Sequence, residues 1–476
     1  MSTDTRNRSK GQKTPPQKRL LASQGLRRSL SNRQMQLLSM GGVIGVGLFY
    51  GSGQALQLAG PSILIDYAIG GLIVLIMMRA LGEMTVEEPL AGSFSRHAER
   101  AMGPMVGFLT GGMWWFFWVA TVMSELSAIG LLVQYWFPSF PPWIPGFMAL
   151  VLFTIANLTS VKVFGEVEFW FAVLKIFAIA AFILLGLFLA VAALTGAAAH
   201  HAGFSNLWSH HGFFPKGIGG LLQAFSLVVL GYSGVETLAV TAGESQDPRE
   251  SIPKAVNNVS WRILILYLGS VFVMLVAFPW TALAGRHTSP YVLLFARIGV
   301  PAAATVINAI IITSGLSSSN TGLYGGSRML FSMADKHFLP ASLKSLNGKK
   351  VPKHAVWITG LGMSVGILLT YLAPNSVYVW ISSAASFAAL WTWGTIMISE
   401  MLFRQHFKGT LRYAMPGWPV VPIIGLLLIL GTLVAIAVSP LTDISVWAGG
   451  VWLLVLVAWW VLYARRHNLD HHVAQS

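Results

Sequence analysis

Three ionisable residues, Glu125, Lys175 and Glu236, lie inside long apolar stretches of the sequence. A charge at the centre of a bilayer costs about 2.5–3.5 kcal/mol or more, so each of these residues is a candidate for function. Glu236 could hydrogen-bond the broken first helix, respond to substrate as a gate, or be a protonated structural acid. Glu125 could pair with Glu236 or shape the pocket for a ligand side chain.

Lys175 is the most informative of the three because its depth can be estimated. It follows Glu166 and Glu168 by about seven to nine residues, which at about 1.5 Å per helical residue places it roughly 10–14 Å below the membrane surface. A lysine stem reaches only about 6 Å, so the amine cannot easily extend to the interface. A lysine that gains and loses a proton at this depth could couple proton movement to another process in the membrane. The alternative is an ion pair with a neighbouring helix.

The composition places these residues in a membrane protein. Of the 476 residues, 55% are hydrophobic and 10% charged, whereas soluble domains carry about 25% charged residues. A spanning helix needs about 20 mostly apolar residues, and this criterion predicts twelve helices in an all-α polytopic membrane protein. The predicted spans are 37–58, 61–82, 106–136, 143–163, 168–195, 217–242, 260–283, 298–325, 354–373, 376–402, 418–438 and 445–464.

The net charge of +14 follows the topology of a membrane protein and does not indicate nucleic-acid binding. Lysines and arginines gather in the N-terminal tail and in alternate loops, as the positive-inside rule predicts. Both termini are therefore expected in the cytoplasm, and the basic tail is expected to meet anionic membrane lipid. At the inner end of the second span, Arg79 and Glu83 are expected to pair locally.

Two glycine clusters interrupt apolar spans one and six. The first has glycines at 41, 42, 45 and 47, and the second has glycines at 231 and 234. Irregular backbone at membrane depth is tolerated only where protein buries it or where it lines a watery cavity. Interrupted helices in corresponding positions of two halves point to a transporter's binding site. The alternative is close helix packing through small residues.

Broken helices expose backbone groups of known polarity. The N-terminus of a half-helix offers N–H groups that suit a carboxylate, and a C-terminus offers carbonyls that suit an ammonium. Val43 to Gly47 could supply the donors, and Leu230 to Ser233 could supply the acceptors. Together they would recognise the two ends of a zwitterion, which is a chemical reason to expect an α-amino acid. The candidate site comprises Val43, Ile44, Gly45, Val46, Gly47, Leu230, Tyr232, Ser233 and Gly234.

Signatures of catalysis and of metal binding are missing from the sequence. It has no G-x-x-x-x-G-K-[ST] loop and no HExxH motif, and it has no cysteine for disulfides or thiolate metal sites. Four histidines form two pairs in one predicted outward loop without a neighbouring carboxylate, which is typical of a solvated loop. They are His200, His201, His210 and His211. We therefore expect no enzyme activity, no cofactor and no metal.

Five motifs resemble the amino acid transporter family of bacterial permeases, within the amino acid–polyamine–organocation superfamily. They are GGVIGVGLF at 41–49, RALGEM at 79–84, FGEVEFWFAVLKI at 164–176, GYSGVETLAVTAGESQDPRESIPKA at 231–255 and SRMLFSMA at 327–334. The resemblance covers the chain from about Leu26 to its end. It implies a twelve-helix fold with a five-plus-five inverted repeat, helices one and six broken, and proton-coupled amino acid uptake across the plasma membrane.

This fold implies a division of the chain into a core and flanking segments. A cytoplasmic tail at 1–36 precedes a ten-helix transport core at 37–402, with repeats at about 37–195 and 217–402. Two additional helices occupy 403–464, and a cytoplasmic tail follows at 465–476. The oligomeric state is not readable from the sequence.

The resemblance also assigns roles to single residues. Val43 to Gly47 match the unwound region that binds the carboxylate, and Leu230, Tyr232 and Ser233 match positions that hold the amine and cap the substrate. Glu236 matches a gating glutamate, and Lys175 matches a proposed proton-coupling lysine.

Two positions depart from relatives with known patterns. Val46 stands where relatives carry a small hydroxyl residue or threonine, so the backbone donor remains and a hydroxyl contact is lost. Leu230 stands where some exchangers carry an aromatic gate, and Tyr232 could take its place.

The function expected from these observations is import of a neutral amino acid by proton symport. Glu125 and Glu236 could attract a cationic substrate, but both fit the general family pattern and discriminate little. The alternatives within transport are an amino acid/amine exchanger and an importer of cationic amino acids. A channel or a membrane receptor on the same scaffold is an alternative of another class.

Overall fold

A computed structural model describes residues 44–88, 93–159, 161–194, 202–237, 248–283, 288–297, 301–374, 376–439 and 442–467. These residues are helical apart from loops, short 3-10 turns and an isolated β-bridge between Leu346 and Pro352. The helices in chain order are α1 Val46–Phe49, α2 Gly51–Ala59, α3 Ile63–Glu87, α4 Ser93–Met102, α5 Pro104–Val133, α6 Trp143–Thr159, α7 Val161–Leu194, α8 Gly217–Tyr232, α9 Pro248–Ala277, α10 Trp280–Leu283, α11 Pro290–Arg297, α12 Pro301–Asp335, α13 Lys353–Leu372, α14 Val377–His406, α15 Val420–Val438 and α16 Asp443–His467. The expected all-α class is confirmed.

Most of the helices are apolar enough to cross a bilayer. Within the described ranges, nine candidate spans meet the length and hydropathy of a crossing, and α6 and α8 are shorter apolar helices. The first candidate, Val46–Glu87, has 42 residues, which is about twice the length that one crossing needs. It is divided at Gly60, whose φ of +64° favours glycine. The chain is a polytopic membrane protein, and twelve helices remain a prediction.

Both glycine clusters coincide with the end of a helix. The chain enters α1 through Gly45, which has extended backbone with φ −109° and ψ −164°. At the second cluster, α8 ends at Tyr232, Ser233 is extended with ψ 152°, and Gly234 has φ +99°. Residues 41–43 lie outside the described part of the chain. Both clusters thus lie at a helix terminus, and the interruption of helices one and six remains a prediction, since residues 238–247 also lie outside the described part of the chain.

The two interrupted helices cross at glycine residues. A Cβ atom placed on Gly47 would lie 3.2 Å from Cα and 3.3 Å from N of Gly231, so the two backbones are in direct contact. A side chain at Gly47 would therefore press on the backbone of α8, whereas a Cβ atom on Gly231 would lie at an ordinary contact distance, 3.7 Å from C of Gly47. Close packing through small residues, one of the two alternatives that the sequence offered, is therefore present where α1 meets α8.

Helix α5 lies at the centre of the core. It packs against α12 and α14, and also against α4, α6 and α13. Glycines on α12 accommodate its large side chains: a Cβ atom on Gly322 would lie 2.6 Å from Cε3 of Trp118. Trp114, Trp118 and Glu125 on α5 are all buried. Helix α5 therefore brings Glu125 to the start of α1 and Trp114 to the turn after α8.

The C-terminal end of α3 binds the backbone of one loop, residues 412–415. Arg79 donates to the carbonyl of Ala414 through Nε at 3.1 Å and through Nη2 at 2.6 Å. Its guanidinium also lies over the ring of Tyr413, 3.5 Å from the centroid. The hydroxyl of Tyr413 donates to Oδ1 of Asn257 on α9 at 2.6 Å. The loop is thereby fixed to both α3 and α9.

Two acids on the same face of α3 complete this contact. Oε2 of Glu83 accepts a hydrogen bond from N–H of Met415 at 2.5 Å, and Oε1 of Glu87 accepts one from N–H of Arg412 at 2.7 Å. Residues spaced by four lie on one face of a helix, so Glu83 and Glu87 extend the row that begins at Arg79. The expectation of a local pair between Arg79 and Glu83 is wrong, because both side chains turn to the loop backbone.

Candidate functional site

The start of α1 is bound by a carboxyl group from another helix. Oε2 of Glu125, on α5, accepts a hydrogen bond from N–H of Val46 at 3.0 Å. Ser318, on α12, donates to the same carboxyl group, and Glu125 is 4% exposed. The first N–H groups of a helix lack partners within the helix and favour an anion. Among the described contacts, Glu125 hydrogen-bonds the broken first helix, in place of the contact that the sequence suggested for Glu236.

Two buried serines hold carbonyl groups of the same segment. Oγ of Ser314 donates to the carbonyl of Ile44 at 2.7 Å, and Oγ of Ser289 donates to the carbonyl of Phe49 at 2.6 Å. The sequence analysis missed both residues. Serines that recur along the apolar helix α12 were a usable signal, since hydroxyl groups in membrane helices commonly hydrogen-bond a neighbouring helix.

Gly45 is required by the close approach of α5 and α12. A Cβ atom at this position would overlap Oε1 of Glu125 and would lie 3.2 Å from Oγ of Ser318. Gly315 on α12 is equally tight, since its Cβ would lie 2.9 Å from Cγ1 of Val46. A side chain at Gly45 therefore has to displace the carboxyl group that binds α1.

Lys175 lies in the middle of α7 and is fully buried, in keeping with its estimated depth. Its Nζ donates to Oγ of Ser317 at 3.0 Å. Ser317 adjoins Ser318, the serine that binds Glu125, and the charge of Lys175 acts on the Glu125 carboxyl group. Two adjacent serines therefore connect the buried lysine to the acid that binds N–H of Val46.

The end of α8 presents carbonyl groups to the second interruption. Ser233 satisfies two of them: its N–H binds the carbonyl of Leu230 at 3.1 Å, and its Oγ binds the carbonyl of Val229 at 2.8 Å. The carbonyls of Gly231 and Tyr232 follow at the partially negative end of the helix. Ser233 therefore caps its own helix, and the two later carbonyls are the groups best suited to an ammonium.

The Tyr232 side chain packs against other helices of the bundle. Its hydroxyl donates to the carbonyl of Tyr67 on α3 at 2.8 Å. Its ring centroid lies 4.9 Å from that of Tyr267 on α9 and 5.8 Å from that of Tyr67. The ring is fully buried. This packing does not support an aromatic lid formed by Tyr232, and only its backbone carbonyl stays in the candidate site.

Glu236 is fully buried beyond the end of α8 and accepts hydrogen bonds from three N–H groups. Nε1 of Trp114 on α5 donates to Oε1 at 3.1 Å. Oε2 accepts from Nε1 of Trp393 on α14 at 3.3 Å and from N–H of Gly234 at 3.2 Å. Glu236 thus joins α5 and α14 to the turn after α8. No spacing in the sequence singled out either tryptophan for this contact.

Two groups of residues that the sequence singled out lie outside the described residues. Val43, the first of the expected backbone donors, precedes the described residues, and so do Gly41 and Gly42. In the outward loop, His200 and His201 also lie outside them. Across the described ranges, no group of three or more histidine, aspartate or glutamate side chains is placed to hold a metal ion.

The arrangement can bind charged groups through backbone atoms and can store a proton beside them. The backbones of α1 and α8 are in contact where Gly47 meets Gly231. Glu125 and Lys175 lie at the first of these helices, whereas Glu236 lies at the second. Hydroxyl groups between Glu125 and Lys175 can donate or accept, so they can support a change of protonation there.

Comparisons with known proteins place the chain in a family. Residues 34–473 match the amino acid permease family. The chain is 43% identical to the uncharacterized amino acid permease YtnA of Bacillus subtilis, over 95% of this chain and 98% of that protein. It is 38% identical to the probable threonine/serine transporter YbxG of Bacillus subtilis, over 93% of this chain and 96% of the relative. It is 39% identical to the aromatic amino acid transport protein AroP of Escherichia coli, over 90% of this chain and 94% of that protein.

Proposed function

The chain belongs to the amino acid permease family, and from this premise we propose that it imports a neutral amino acid by proton symport with alternating access. As an amino acid permease it is a multi-pass membrane transporter and not an enzyme. We thus propose a neutral substrate, a proton as the coupling ion and the backbone site described above. The observation that carries it is the contact of Glu125 with α1 beside the buried Lys175.

The substrate carboxylate is proposed to bind the backbone of Val43 to Gly47. One of these donors, N–H of Val46, is held by Glu125. An incoming carboxylate therefore competes with Glu125 for the same donor. The substrate ammonium is proposed to bind at Leu230 to Gly234, where the carbonyls of Gly231 and Tyr232 are suitably polarised.

This competition supplies a reason for coupling to a proton. With Lys175 charged and Glu125 ionised, the pair has no net charge. A proton added to the pair neutralises Glu125, weakens its hold on Val46 and leaves a net charge of +1. The substrate carboxylate then balances that charge, so proton and substrate bind best together. The proton belongs to the coupled pair and not to either residue alone.

The preference for a neutral substrate is supported by the partners of the two acids. Glu125 binds α1 and Ser318, and Glu236 accepts from three N–H groups, so each acid already has partners. A cationic side chain would have to displace them. The names of two relatives, a probable threonine/serine transporter and an aromatic amino acid transport protein, also refer to uncharged side chains. The cationic importer is therefore the weaker alternative.

The proposal includes the full architecture expected from the sequence. It comprises twelve helices, inverted repeats at about 37–195 and 217–402 within a core at 37–402, two more helices within 403–464, and both termini in the cytoplasm. Support comes from the division of Val46–Glu87 at Gly60 and from interruptions at the start of each proposed repeat. The proposed location is the plasma membrane.

Proteoliposomes test the transport mode directly. A thermal-shift screen of the purified protein against the twenty L-amino acids identifies the substrate. Uptake of that amino acid, tritiated, should then be concentrative when the outside is acidic and should stop when a protonophore collapses the gradient. An exchanger would instead show counterflow of preloaded substrate without any gradient-driven uptake. A channel would show no concentrative uptake, and a receptor would bind substrate without transport.

A further inference from the structure

The described contacts of Glu236 are those expected of an ionised carboxylate. Indole and backbone N–H groups only donate hydrogen bonds, and an ionised carboxylate only accepts them. The bonds from Trp114, Trp393 and Gly234 therefore all match the ionised form. A protonated carboxyl group would carry an O–H that none of these three partners can accept. Glu125 differs, because Ser318 is a hydroxyl group that can act in either direction.

The tryptophan donors are themselves fixed in place. The Trp114 ring makes edge contacts with Phe94 of α4, at 5.4 Å between centroids, and with Trp118, at 5.9 Å. Trp393 on α14 has no exposed surface. Neither indole can turn away from Glu236 without disturbing a packed core.

We propose that Trp114 and Trp393 are positioning residues that hold Glu236 as a fixed anion, and that this anion sets the turn at which helix six is broken. The turn depends on Gly234, whose φ is +99° and whose N–H is bound by the anion. The preceding carbonyls, at Gly231 and Tyr232, take their direction from this turn. Glu236 then does not carry the transported proton. The inference rests on the proposed function only in taking the break as the substrate site.

The two oxygens of Glu236 allow a directional test by second-site rescue. In Glu236→Gln, the amide oxygen is best placed at the Oε2 position, where Trp393 and Gly234 both donate. The amide NH2 then faces the N–H of Trp114, a repulsion between two donors. Trp114→Phe removes this conflict and should rescue Glu236→Gln, whereas Trp393→Phe leaves the conflict in place. Trp115→Phe is the matched control, since its indole donates to Thr359 instead.

The readouts are thermal unfolding in detergent and counterflow of a mixture of the twenty tritiated L-amino acids in proteoliposomes. We expect Glu236→Gln to lower the unfolding temperature and to slow counterflow about tenfold, the size of a lost hydrogen bond to a charged group. Addition of Trp114→Phe should restore at least half of both losses. Addition of Trp393→Phe or Trp115→Phe should restore neither.

Other outcomes overturn the proposal. If Glu236→Gln keeps wild-type stability and counterflow but loses gradient-driven uptake, Glu236 carries the proton. Equal rescue by Trp114→Phe and Trp393→Phe, or rescue by neither, removes their assigned roles. If Glu236→Gln does not fold, each single phenylalanine variant decides: slower counterflow with an unchanged pH profile supports positioning, and a shifted profile contradicts it. A wild-type protein without gradient-driven uptake would refute symport while leaving the rescue test intact.

Discussion

Glu125 and Glu236 are both buried glutamates beside a broken helix, yet their partners differ. Glu236 accepts from three N–H groups on three elements. Glu125 accepts from one backbone N–H and from a serine, with a buried lysine near it. The partners of Glu125 tolerate a change of protonation, and those of Glu236 do not. One acid is thus suited to move a charge, and the other is suited to keep one in place.

The largest effect that would sharpen this comparison is expected at Gly45. Gly45→Leu puts a side chain where Oε1 of Glu125 lies and should displace the acid and fill the broken segment. Overpacking of this kind predicts a loss of substrate affinity on the order of 100-fold. Isothermal titration calorimetry of the purified protein, with the amino acid that stabilises it most in the thermal-shift screen, measures this loss of affinity. Gly450→Leu is the control, since a Cβ atom there meets nothing within 4 Å. Normal affinity in Gly45→Leu would contradict the site.

The second effect concerns the source of charge near Glu125. Lys175→Ala should remove proton-driven accumulation, which at 100 mV amounts to roughly 50-fold for one proton. Counterflow at equal pH should persist, because the backbone donors and acceptors remain. Lys349→Ala, at an exposed lysine, controls for loss of a positive charge. Concentrative uptake at the wild-type level in Lys175→Ala would remove the lysine from the mechanism.

A third variant separates the two acids from each other. Glu125→Gln imitates the protonated acid, so its amide should release N–H of Val46 more easily than the carboxylate does. We expect affinity at alkaline pH to rise by about tenfold, the size of a hydrogen bond to a charged group, while accumulation is lost. Binding measured from pH 5.5 to 8.5 should therefore depend less on pH than in wild type. If substrate binding by Glu125→Gln depended on pH as strongly as in wild type, Glu125 would not be the acid that changes protonation, and it would not differ from Glu236 in this respect.

The smallest effect is expected from a serine that supports the same segment. Ser314→Ala removes the hydrogen bond to the carbonyl of Ile44 and leaves Glu125 and its donors in place. A single neutral hydrogen bond predicts about a two- to tenfold loss of affinity. Ser364→Ala, where Oγ bonds only within its own helix to Leu361, is the matched control. Equal effects of the two substitutions would show that Ser314 does not support the site.

The sequence predicted features that depend on order along the chain. Apolar length predicted the candidate membrane helices, glycine clusters marked the start of α1 and the end of α8, and the distance of Lys175 from the helix end indicated its burial. Each of these follows from local spacing. The sequence also predicted that acids would matter at the breaks, because charged residues are scarce in apolar spans.

The assignment of partners could not be predicted from spacing. Which acid contacts α1 depends on how α5 is rotated about its axis, and that rotation is set by packing against α12 and α14. Glu125 therefore took the contact suggested for Glu236, while Glu236 met tryptophans from α5 and α14. Arg79 and Glu83 show the same limit, since a loop more than three hundred residues away competes with their local pairing.

The contact between α3 and the 412–415 loop has a consequence for chimeric proteins. Arg79, Glu83 and Glu87 bind main-chain atoms of Ala414, Met415 and Arg412, so most substitutions in the loop leave these bonds intact. An insertion or deletion of one residue would instead move every donor and acceptor out of register. A relative's version of α15 and α16 should therefore be exchangeable onto this core if the connecting loop keeps its length and retains a tyrosine at the position of Tyr413, which binds Arg79 and Asn257.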